Sequence, residues 1–164
     1  MRAARESIWF VTGVTGFLGK VLLEELVRRR QELHIGRILV LIRARAERSA
    51  AQRFRQEVAS AKCFAALPDG WSDCVEVLEG DLERVGLGIP DTALRAVTHL
   101  VHSAASIEFN LPVRDALTAN VHATLNLLEA ARRSRVLERF VYVSTAYVTP
   151  HPGNRVPIPE RLVA

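Results

Sequence analysis

Ser7-Ile-Trp-Phe-Val-Thr-Gly-Val-Thr-Gly-Phe-Leu-Gly-Lys20 is the stretch on which the fold turns. Ser7–Thr12 is a short run of β-branched and aromatic residues, the composition of a buried strand, and Gly13 stops it. From Gly16 onward Leu18, Val21, Leu22 and Leu26 recur at helical spacing with charges opposite. Between strand and helix each glycine has a chemical reason. Gly13 allows a tight turn, Gly16 lets backbone approach an anion, and Gly19 permits close packing of the helix. A helix that opens on such a turn offers its first N–H groups and the positive end of its dipole to a phosphate. Strand before and helix after are what distinguish a dinucleotide turn from an ordinary glycine loop.

Outward from that turn, apolar runs alternate with helical patterns. Strands are expected at 37–42, 75–78, 98–102 and 140–144. Helices are expected at 54–67, on Phe54, Val58, Ala61 and Phe64, and at 112–133, with Leu117, Val121, Leu125 and Leu128 as the core stripe. Strands apolar throughout and separated by helices predict an α/β fold, a doubly wound parallel sheet of Rossmann type. The dinucleotide-binding domain is expected over residues 1–148, and 149–164 as a loop, since Pro150, Pro152, Pro157 and Pro159 fall there.

Composition narrows the partners. The 164 residues are 49% hydrophobic and 24% charged, an ordinary globular balance. No apolar run is long enough to span a bilayer, and no secretory signal is readable. Cys63 and Cys74 stand alone and read as reduced thiols of a cytoplasmic protein. All but Lys20 and Lys62 of the 22 basic residues are arginine. Their scatter over polar helix faces and the 6% aromatic content speak against nucleic acid, while the arginine and alanine richness suggests a high-GC bacterial source. The histidines show no metal-ligand spacing; His99 and His102, on one strand, read as core or hydrogen-bonded side chains.

The end of the second strand selects between cofactors. An NAD site usually carries Asp or Glu there for the ribose hydroxyls, but this chain has Ile42-Arg43-Ala44-Arg45. A guanidinium fork matches phosphate oxygens, so the expected cofactor is NADP(H), with Arg43 the main contact and Arg45 secondary. Asp81 and Leu82 follow the third strand, where a short acid can accept from an adenine amino group. Ala104 and Ala105 follow the fourth, where small residues let a dinucleotide lie against backbone. Thr15, Phe17 and Leu18 complete the turn, and successive carboxyl ends of strands are the edge where such sheets bind ligands.

The motifs in order resemble the extended short-chain dehydrogenase/reductases, and within them the fatty acyl-CoA reductases of the male-sterility, NAD-binding family. The matching pieces are Thr12 to Lys20, Leu41-Ile42-Arg43, Gly80-Asp81-Leu82, His102-Ser103-Ala104-Ala105-Ser106, Asn120-Val121 and Val143-Ser-Thr-Ala-Tyr-Val148. Thioester reductase domains share most of these signals. The resemblance implies hydride transfer from NADPH to an acyl-CoA or carrier-bound acyl thioester, giving aldehyde or alcohol. It implies that Thr145, with Ser144 just before it, hydrogen-bonds the substrate carbonyl, where a hydroxyl steadies oxyanion charge; a cap on the strand-to-loop turn is the structural alternative. Asn120 reads as a water or backbone organiser, or as a packing polar residue.

One departure is large. The family uses a Tyr-x-x-x-Lys pair as general acid. Here the residues four beyond Tyr142 and Tyr147 are Ala146 and His151, and no lysine follows Lys62. The chain is therefore expected to be a segment that ends before the catalytic helix and to turn over little alone. A non-catalytic dinucleotide-binding or sensing module is the alternative reading.

Overall fold

A computed structural model of the chain describes residues 6–145. The expected loop at 149–164 and the position of Tyr147 lie outside the described residues. The strands are β1 (Ser7–Thr12), β2 (Ile35–Ile42), β3 (Val75–Glu79), β4 (His99–His102) and β5 (Arg139–Tyr142). All neighbours pair in parallel, in the order β3-β2-β1-β4-β5. The order reverses at β1, and Thr12 stands level with Leu41 on one side and His102 on the other. A crevice therefore opens beyond the carboxyl ends of β1 and β4.

Alternation along the central strands loads both faces of the sheet. Val11, Ile38, Val40, Ile42 and Val101 point into one core with Leu23, Leu26, Phe54 and Val58. Phe10, Leu39, Leu41 and Leu100 point into the other with Leu87, Leu127, Ala130 and Ala131. The parallel doubly wound architecture expected from the sequence is the one observed.

Helix α1 (Phe17–Arg28) follows the glycine turn directly. Helix α2 (Ala50–Arg53) starts four residues before the expected 54, because Ser49 and Gln52 form a reciprocal capping box. It widens into π-type turns over Phe54–Ala59, and the Ser60 hydroxyl donates to the Gln56 carbonyl where they end. The long helix runs as α3 (Val113–Ala116), a π-type segment at Leu117–His122 and α4 (Ala123–Ala131).

The core face of that helix differs from the expected one. Leu117, Val121, Leu125 and Leu128 are exposed, and Ala123, Leu127, Ala130 and Ala131 are buried. Three alanines let the helix axis approach the sheet, so they and Leu127 face the core while the four larger residues of the expected stripe turn outward. In helix α1 the expected stripe divides: Leu26 is buried with Gly19 and Leu23, and Leu22 packs against the core, while Leu18 and Val21 are exposed.

Candidate cofactor cleft

The glycine turn is built as its chemistry requires. Gly13 sits at φ +82°, and a Cβ there would lie 2.6 Å from the Ala104 nitrogen and 2.7 Å from Ser103 Oγ. The first loop is thus pressed against the end of β4. A Cβ on Gly19 would overlap the Gly13 carbonyl, so only glycine lets α1 start this close to the turn. Gly16 donates its N–H to the Gly13 carbonyl at 2.9 Å and occupies the N-cap of α1 without any side-chain cap. The N-terminal end of α1 therefore keeps its positive pole toward the crevice.

The crevice is a cleft of about 380 Å³. Gly13, Thr15 and Gly16 form its floor, Ser103, Ala104, Ala105 and Ser106 one wall, and Gly80, Asp81, Leu82 and Glu83 the other, with Arg43 and Arg53 at the rim. Of the expected binding residues, the structure brings together Gly13, Thr15, Gly16, Arg43, Asp81, Leu82, Ala104 and Ala105. Gly19 is buried beneath the turn, and the exposed Phe17 and Leu18 lie outside the lining. Arg45 also lies outside it: its backbone pairs with Arg48 in a tight turn around Ala46, which has φ +52°.

Arg53 is the residue that sequence reasoning missed. Its side chain is 11% exposed, donates to the Arg43 carbonyl at 2.6 Å, and is held by Glu57 at 2.8 Å. The hydrogen bond from Arg53 holds the Glu57 carboxyl below its usual range, against the opposing effect of burial. Only the placement of α2 beside the end of β2 carries this arginine to the rim, ten residues after Arg43. The Arg43 guanidinium is 56% exposed, lying 3.2 Å from Glu83 and 3.8 Å from Asp81. Asp81 also accepts from the Glu83 N–H at 3.0 Å, and the Leu82 carbonyl accepts from Asn126 Nδ2 at 2.9 Å. The acidic wall is thereby shaped from within.

Both histidines of β4 are structural, as their sequence context suggested. His99 stacks on Trp9 with ring centroids 4.6 Å apart. His102 is 1% exposed, hydrogen-bonded on both nitrogens and stacked against Tyr142 at 5.4 Å. Burial pushes its pKa down. Asn120, in the π-type segment, organises backbone: Oδ1 accepts from the Ser106 N–H at 2.7 Å and Nδ2 donates to the Ser106 carbonyl at 3.0 Å. Ser144 and Thr145 follow β5 at the same sheet edge, both exposed and neither in the cleft lining.

The match of the male sterility protein family spans residues 11–161. The chain belongs to that family. A fatty acyl-CoA reductase 1 from Xenopus laevis is 37% identical over 144 residues, which are 84% of this chain and 27% of the relative. The chain thus spans about a quarter of the length of the curated relatives it matches. Among solved structures, the terminal R domain of the myxalamid PKS-NRPS pathway superposes with a TM-score of 0.76 at 28% identity, covering 94% of this chain and 38% of that one. The Bordetella bronchiseptica enzyme WbmG, solved with NAD and UDP, superposes at 0.65 with 26% identity, covering 95% of this chain and 43% of the enzyme. The chain is a nicotinamide dinucleotide-binding domain of this family.

Proposed function

We propose that the chain is the NADPH-binding segment of an acyl-thioester reductase of the fatty acyl-CoA reductase type. One observation carries the reading: a glycine-floored cleft at the switch point of the sheet, with two arginines at the rim where the adenosine end of a dinucleotide would rest. The residues fit the group. At Gly16, the N-cap of α1, a Cβ would meet only the Gly13 carbonyl, which leaves that side of the turn open to a pyrophosphate, and the N-terminus of α1 faces it. Arg43 and Arg53 supply guanidinium donors for a 2′-phosphate. The ion pair that Arg43 makes with Glu83 is solvent-exposed and contributes only about 0–1 kcal/mol, and the contact with Asp81 is long at 3.8 Å, so a phosphate would displace them at little cost.

When bound, the nicotinamide supplies the hydride that reduces the thioester carbonyl. The Thr145 hydroxyl, with Ser144 beside it, is proposed to donate to that carbonyl oxygen and steady its developing charge. Acyl-CoA is the substrate class that the sequence relatives suggest. The close superposition on the myxalamid R domain favours, as a second reading, an acyl chain delivered on a carrier protein. Without Tyr-x-x-x-Lys in its sequence, the chain by itself is proposed to bind cofactor and to turn over little. A reduced, cytoplasmic setting in a bacterium agrees with the unpaired Cys63 and Cys74 and with the arginine-rich composition. Among the described residues no helix is long and apolar enough to cross a membrane.

Titration of the chain with NADPH and with NADH, followed by nicotinamide fluorescence, tests the assignment. NADPH is expected to bind the more tightly, and Arg43→Ala to erase roughly tenfold of that preference, the effect of one charge-assisted hydrogen bond. An unchanged affinity ratio in Arg43→Ala overturns the phosphate assignment.

A further inference from the structure

Around His102 the donors and acceptors can be followed one by one. The Thr124 hydroxyl spends its only proton on the Asn120 carbonyl, at 2.6 Å. It therefore faces His102 Nε2, 3.0 Å away, as an acceptor, and the ring carries its proton on Nε2. Nδ1 is then a bare acceptor for the Thr12 hydroxyl at 2.7 Å, and Thr12 Oγ1 in turn accepts from the Ala104 N–H at 3.3 Å. The far end of the chain returns to the same loop, because Asn120 clamps the N–H and carbonyl of Ser106. Every proton in the series has one acceptor.

We propose that His102 is the positioning residue of the cleft: as a neutral imidazole protonated on Nε2, it closes a hydrogen-bond circuit that pins both ends of the 104–106 wall. Resting on the dinucleotide reading of that cleft, this adds how its wall is held. The circuit joins β1, β4, the π-type segment and α4, so the wall against which a dinucleotide would lie is set by four elements at once. A second ring proton on Nδ1 would face the Thr12 oxygen and leave the Thr12 hydroxyl proton without its acceptor. Burial, which disfavours the charged ring, works in the same direction. Asn120 lies within the π-type segment Leu117–His122, where its amide reaches Ser106 and its carbonyl accepts from the Thr124 hydroxyl one turn on.

Three measurements on the full chain test the circuit. Long-range 1H–15N correlation spectra near neutral pH, assigned by comparison with His102→Phe, are expected to show the His102 proton on Nε2. A proton on Nδ1, alone or in addition, overturns the circuit. Hydrogen exchange at the Ala104 and Ser106 amides is expected to quicken in Thr124→Val at both positions and to recover in Thr124→Ser. Unchanged exchange at Ser106 overturns the pinning. With NADPH as the probe, Thr124→Val should weaken binding roughly tenfold. The double variant Thr124→Val/Asn120→Ala should be no weaker than Asn120→Ala alone, because each breaks one circuit; strict additivity overturns it. A wild-type chain that binds neither NADPH nor NADH defeats the cofactor reading, whereas the tautomer and exchange results judge the circuit without any cofactor.

Discussion

Gly16 and Gly19 lie three residues apart in the same turn, yet the space around them differs. At Gly19 a Cβ would run into the Gly13 carbonyl and the Val14 Cα, backbone atoms that cannot step aside. At Gly16, which has φ −79°, a Cβ would come no closer than 3.2 Å to the Gly13 carbonyl. Gly19→Ala is therefore expected to cost about 1–3 kcal/mol of unfolding free energy, as overpacking does. Gly16→Ala is expected to cost under about 1 kcal/mol of stability while weakening NADPH binding, because its Cβ would enter the space proposed for the pyrophosphate. Denaturant unfolding together with NADPH titration checks both halves, and equal stability losses in the two variants would contradict the division of roles. The packing role of Gly19 was legible in the sequence, because it follows from strand, turn and helix in succession. The role of Arg53 was not: it depends on which way α2 runs from the end of β2.

Among the elements, α2 shows how a local signal sets a distant contact. The Ser49–Gln52 capping box starts the helix early enough to place Arg53 in its last turn, beside the Arg43 carbonyl. The Ala50 N–H is also taken by Glu79, at 2.9 Å, which ties the helix start to the end of β3. Ser49→Ala removes one cap and is expected to cost about 1 kcal/mol, read by thermal or denaturant unfolding; a loss below about 0.3 kcal/mol would show that Glu79 alone holds the helix start. The two long helices teach the opposite lesson. Leu117, Val121, Leu125 and Leu128 make a convincing stripe by period, but Ala123, Leu127, Ala130 and Ala131 make another, and the sheet took the second. Periodicity identifies a helix reliably; it does not say which of two apolar faces the sheet will select.

Across the whole molecule, one buried titratable group links the core to acid stability. Facing His102 are the Thr12 and Thr124 hydroxyls and the Tyr142 ring. Burial depresses its pKa in the folded chain, so on acidification the unfolded chain takes up the proton first, near the ordinary value of about 6.5. Stability is therefore lost as pH falls from about 6.5 toward the lower folded value, at a rate of up to about 1.4 kcal/mol per pH unit for this one group. Glu57, whose pKa is depressed by Arg53, adds its own loss further down, below the ordinary carboxyl range near 4.3. Denaturant unfolding between pH 7 and 5 is expected to show the first fall in the wild type and not in His102→Gln. The same slope in both would exclude His102 as its source.

By itself, the sequence determined the alternation of strands and helices, the glycine turn between β1 and α1, and the arginine at the end of β2. These are local facts, settled by side-chain chemistry within a few consecutive residues. The parallel class also followed, because strands apolar throughout leave no face for water. Only the tertiary structure decided that Arg53 rather than Arg45 stands at the rim, that Ala123, Leu127, Ala130 and Ala131 rather than the 117–128 stripe meet the sheet, and that His102 joins Thr12 to Thr124 across β1, β4 and α4. Each of these depends on residues up to 90 positions apart meeting at one place. No spacing in the chain encodes that meeting; it arises when two cores and a sheet order are satisfied together.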